Sequence, residues 1–92
     1  MGTKNDPGPY DCHAKAEDDE PLFTLLARDP LGHAIVELWA HLRSHDISSA
    51  VFCFGYLVAQ TAKLAFETNT SKIDEAFQCA DDMRAWFKQR QH

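Results

Sequence analysis

The sequence predicts an all-α fold: a small helical bundle of three main helices plus a short leading helix, behind a flexible acidic N-terminal arm. Apolar residues recur at helical spacing in three successive segments, and none of these alternates as a strand would. Prolines and short polar residues punctuate the chain where each helix would begin. The connections left between the segments are short, as in bundles of neighbouring helices. The chain reads as two parts: residues 1–18 as the arm and 19–92 as a single helical domain.

Residues 1–9, MGTKNDPGP, hold two prolines and two glycines and no apolar pattern, which predicts an extended arm. Residues 10–18 have no decisive pattern, and Tyr10 is placed to anchor the arm on the body. The next stretch, DEPLFTLLARDP, lies between two acidic-proline pairs. Pro21 suits a first helical turn. Acids precede it, and Arg28 follows where a cation favours the helix C-terminus. Leu22, Leu25 and Leu26 share one helical face, so 20–28 is expected to be the short leading helix.

Asp29 and Pro30 then read as N-cap and first residue of a second helix, running to about Ser44. Its apolar stripe is Leu31, Ile35, Leu38, Trp39 and Leu42. Asp46 or Ser48 caps a third helix, expected to reach Thr68. This helix is apolar over most of its circumference, with Cys53, Tyr56, Gln60, Lys63 and Glu67 on one narrow polar side. It is expected to be the central helix. Gly55, Ala59 and Ala62 form a ridge that another helix would approach closely, in the core or at a dimer seam. Asn69-Thr70-Ser71 reads as a turn, with Ser71 and Asp74 resembling a capping box. The fourth helix, 71–89, is expected to bury Ile73, Ala76, Phe77, Ala80, Met83 and Phe87.

Charge narrows the classes of function. Nine basic residues stand against fourteen acidic ones, giving a net −5. Residues 1–30 hold three of the basic and seven of the acidic residues, so −4 of that total. Such a surface repels phosphate backbones and disfavours direct nucleic-acid binding. The longest apolar run, residues 50–59, is too short to span a bilayer. No apolar leader follows Met1, and an odd cysteine count of three fits free thiols, so a reducing cytoplasmic compartment is expected.

Chemistry-bearing clusters are few. His33, Glu37, His41 and His45 follow one another at four-residue intervals, a spacing at which two imidazoles can share a metal. The apolar stripe of the second helix points away from the first three, so they read as an outer face, with His45 bordering the core. Cys12 and His13 are adjacent, which is poor ligand geometry unless a distant thiol converges on them. Cys53 and Cys79 read as small buried hydrophobes. Asp81 and Asp82 point apart on a helix. There is no phosphate-binding loop, nucleophile elbow or H-E-x-x-H motif. A non-enzyme with no cofactor is therefore expected.

The run Y-D-C-H-A-K-A and D-E-P-L-F-T-L-L-A-R-D-P, ahead of a helix bearing Trp39, resembles a class of small bacterial and phage-borne proteins. Those proteins, of unknown function, carry a D-E-P-x-F-x-L-x-A-x-D segment. The match covers about residues 10–43. The resemblance implies a mobile-element context but no activity, cofactor or catalytic residue.

Three expectations follow for function. The first is a non-catalytic protein-interaction module, a homodimer or the partner of another protein. Its candidate contacts are Tyr10, Phe23, Trp39, Tyr56 and Trp86, since aromatic anchors dominate interface energetics. The second is an acidic, phage-type inhibitor that presents Glu17, Asp18, Asp19 and Glu20 to a basic nucleic-acid-processing or defence enzyme. The third is a metal-binding protein using Cys12, His13 and the His33, Glu37, His41 and His45 ladder.

Overall fold

A computed structural model describes residues 2–64 and 70–90. The fold is all-α. Its helices are α1 (Cys12–Lys15), α2 (Gly32–Arg43), α3 (Ile47–Lys63) and α4 (Thr70–Gln89). No strand occurs among the described residues; an isolated bridge joins Gly2 and Pro7. Thr68 and Asn69, the expected end of the third helix and start of the turn, lie outside the described residues.

The short leading helix forms earlier than expected. Asp11 caps α1, its side chain accepting from the His13 N–H at 3.1 Å. Residues 20–26 have no regular structure, and 27–31 form turns. An isolated eight- or nine-residue helix is too short to sustain itself without packing. Here prolines also bar helical backbone at Glu20 and Asp29. Asp29 instead builds two consecutive turns. Its N–H donates to the Leu26 carbonyl at 3.0 Å, and its carbonyl accepts from Gly32 at 2.9 Å. Its carboxylate accepts from the Leu31 N–H at 2.9 Å, an Asx turn that leads into the helix; Leu31, and not Asp29 as expected, occupies the N-cap position. Gly32 is buried in this turn, where an added Cβ would meet the Leu26 carbonyl oxygen at 3.0 Å.

Contacts divide the chain into two units, Met1–Phe23 with Asn69–His92, and Thr24–Thr68. In the second unit α2 and α3 form a helical hairpin. The Asp46 N–H donates to His41 near the link, and the Cys53 thiol to Ala34 farther along, so α3 runs back along α2. The link is a Schellman stop. His45 adopts φ 60°, its N–H donates to Leu42 at 3.2 Å, and the Asp46 N–H donates to His41 at 3.0 Å. Asp46 then caps α3 by accepting from the Ser49 N–H at 3.2 Å.

The hairpin closes on small residues. Among the described residues, the buried apolar side chains are Ala34, Ala50 and Cys53. Cys53 is thus the small buried hydrophobe expected, although it shares its side of α3 with the polar residues Tyr56, Gln60 and Lys63. Close helix approach needs small side chains, and α3 offers them on the face that also carries Gln60, which is half-buried. The ridge of Gly55, Ala59 and Ala62 is exposed, and a Cβ added at Gly55 would meet nothing within 4 Å.

In the first unit, the inward face of α4 shares Ala76 with the one expected but is otherwise shifted. Ala76, Cys79 and Trp86 are half-buried, whereas Ile73, Phe77 and Phe87 are exposed. The Cys79 thiol donates to the Leu22 carbonyl at 3.3 Å. Arg90 reaches Glu17 at 2.9 Å and Asp19 at 3.9 Å.

Candidate interaction surface

The α2–α3 hairpin has two unlike faces. One carries Leu31, Ile35, Leu38 and Leu42 from α2 and its entry turn, and Ile47, Val51, Phe54 and Val58 from α3. Both sets follow a four-three-four spacing, the a/d repeat of packed helices. All eight positions are apolar. In two antiparallel helices both stripes fall on one side, because each is displaced in the same rotational sense from its contact with the other helix. The α3 stripe stands in solvent: Ile47, Val51, Phe54 and Val58 are 55–67% exposed. Ile35 and Leu42 are also exposed, and Leu31 and Leu38 are half-buried. Trp39 flanks the stripe, with the Arg43 guanidinium 5.7 Å from its ring centroid.

The opposite side is a groove of about 440 Å³ lined by His33, Glu37, His41, Ser48, Ser49, Phe52, Cys53 and Tyr56, polar side chains mixed with a largely apolar wall. His33 meets Tyr56 edge-on, with centroids 6.3 Å apart. His33 and Glu37 are exposed, as expected of an outer face, while His41 is half-buried; all three line the groove beside α3. His45 is exposed and serves as the helix stop, not as a core-bordering ligand.

The metal candidates do not assemble. Among the described residues no group of three or more His, Cys, Asp or Glu side chains is arranged to hold an ion. Cys12 and His13 belong to the first unit and the ladder to the second. Cys12 is exposed, its sulfur 3.7 Å from the Tyr10 carbonyl.

The acidic candidates are partly engaged within the chain. Arg90 takes Glu17 and Asp19, and the Glu20 carboxylate accepts from the Glu17 N–H at 3.1 Å. The Arg90 guanidinium also lies 4.3 Å from the Trp86 ring centroid. Its pKa is raised by the hydrogen bond to Glu17 above all, with the charges of Glu17, Asp19 and Glu20 adding to it. Asp18 is exposed.

The aromatic candidates scatter. Tyr10 is exposed and receives the Lys15 ammonium 5.3 Å from its ring centroid, a contact inside the N-terminal segment. Phe23 is exposed. Trp86 is half-buried, and its Nε1 is a buried nitrogen without a hydrogen-bond partner. Aromatic counting missed the apolar stripe of α3, which the four-three-four spacing could have revealed.

No protein-family model matches the chain, and no curated protein or solved structure does either. No helix among the described residues is long and apolar enough to cross a membrane.

Proposed function

We propose that the chain is a non-catalytic helical interaction module whose working surface is the apolar face of the α2–α3 hairpin. One observation carries this reading. The hairpin buries only three small apolar side chains while Ile47, Val51, Phe54 and Val58 stand in solvent on one uncharged stripe. Burying a large aliphatic or aromatic side chain is worth about 1.5–3 kcal/mol. A face of this kind therefore gains from being covered, and a contiguous exposed apolar patch marks an interaction site.

The reading favours the apolar face over the acidic segment because Arg90 already holds Glu17 and Asp19. It is tested by titrating an apolar-surface dye, anilinonaphthalene sulfonate, into the purified chain while its size is measured. The expected result is self-association or dye binding, removed in either case by the double substitution Val51→Glu, Phe54→Glu. A monodisperse single chain that binds no dye overturns the reading.

A further inference from the structure

We infer that the occupant of the α2–α3 apolar face is a second copy of the same chain, packed face to face so that the two hairpins make a four-helix core. The inference rests on the interaction-surface reading and adds the identity of the partner.

Three features of the face point to a copy. The first is area. Ile35, Trp39, Leu42, Ile47, Val51, Phe54 and Val58 are all exposed. At about 100 Å² each they offer roughly 700–800 Å², close to the area per partner of a standard stable interface. The second is period. The α2 stripe and the α3 stripe have the same four-three-four spacing and the same length, residues 31–42 and 47–58. A partner must supply apolar rows of matching period to interdigitate with them, and a second hairpin does so on both helices. The third is charge. The eight stripe positions carry none, so two copies meet without like-charge repulsion across the seam despite a net charge of −5 on each chain. A two-fold axis uses the same patch twice, and this patch is complementary to itself.

The neighbouring ridge of Gly55, Ala59 and Ala62 is not the proposed centre. Small residues permit close approach but offer little area, whereas Val51 and Phe54 supply it.

Sedimentation equilibrium and native mass measurement on the full chain decide the matter. Wild type is expected as a two-chain species whose melting temperature rises with protein concentration. Val51→Glu with Phe54→Glu, placing four acids in the seam of two chains, is expected to weaken association by more than about a hundredfold. Val36→Glu, at an exposed apolar position of α2 off the stripe, is expected to leave it intact. A two-chain species that survives the double substitution, or is lost equally with Val36→Glu, overturns the inference because another surface makes the dimer. A single chain that binds the apolar dye also overturns it, while leaving the interaction-surface reading standing. A single chain that binds no dye removes both.

Discussion

The Cys53 thiol donates to the Ala34 carbonyl at 3.3 Å, a buried contact made where α2 and α3 meet. Both residues are buried, and Ala50 lies one turn away on the same face of α3. Little volume is available there. Cys53→Leu is expected to wedge the helices apart and cost about 1–3 kcal/mol, the range for overpacking. Cys53→Ala should cost less, about 1 kcal/mol, because it removes only a small side chain and a weak bond. Chemical denaturation of the two variants checks the order. A Cys53→Leu variant as stable as wild type would mean that the helices meet elsewhere.

His45 has the backbone of a glycine. Its φ of 60° lies in the left-handed region, which costs an L-residue about 1 kcal/mol or more. The Schellman bonds at Leu42 and His41 hold it there. His45→Gly keeps those bonds and removes the strain, so it is expected to raise stability by up to about 1 kcal/mol. His45→Val, branched at Cβ, is expected to lower it. Thermal melts of the pair should move in opposite directions from wild type.

Much of the architecture was legible in the sequence. Of the two residues that read as caps for α3, Asp46 and Ser48, Asp46 is the one used, and α2, α3 and α4 begin within two residues of their expected starts. The 20–28 segment misled because three leucines on one face imitate a helix that nothing there nucleates. Asp11, a sound N-cap directly ahead of a helix-compatible CHAK, was a usable signal for α1. The interaction surface was harder to read. A helix apolar nearly all round does not declare which side faces its neighbour. That choice falls to the smallest side chains, Ala50 and Cys53, and it pushes the larger ones outward.

The Asp46 carboxylate is held below the usual carboxylate pKa, chiefly by the Ser49 side-chain hydrogen bond, then by the Ser49 N–H, with His41 contributing charge. A lowered folded-state pKa stabilises the fold above the ordinary aspartate value of about 3.9, and that stability is lost as pH falls through the folded value. Asp46→Asn retains a capping oxygen but cannot titrate. It is expected to melt near wild type at neutral pH and to show a flatter loss of stability as the pH falls below about 4. Identical acid limbs for the two proteins would show that the cap carries none of the pH dependence.

Gly55 separates two pictures of how α3 is covered. A Cβ there would meet nothing within 4 Å, and glycine inside a helix costs about 1 kcal/mol relative to alanine. If the apolar stripe is the seam, Gly55→Ala is expected to stabilise the protein by about that amount and leave association unchanged. If the ridge of Gly55, Ala59 and Ala62 were the seam, the added methyl would strike the approaching helix and weaken association. Measuring unfolding and sedimentation on the same variant distinguishes the two.

Arg90 ties the acidic segment to α4 through Glu17 and Asp19 while stacking over Trp86. Lysine keeps the charge but loses the planar fork and the stacking. Arg90→Lys is therefore expected to resemble Arg90→Ala more than wild type, with faster proteolysis within the first twenty residues in both. Trp86→Phe keeps an aromatic face for Arg90 and removes the unpartnered Nε1, so it should melt at or above wild type, whereas Trp86→Ala should release the segment. Limited proteolysis reads both pairs. Raising the salt concentration should speed cleavage of wild type more than of Arg90→Ala, because the ion pairs are exposed and screening weakens them. Equal salt dependence in the two would show that the stacking, and not the charges, holds the segment down.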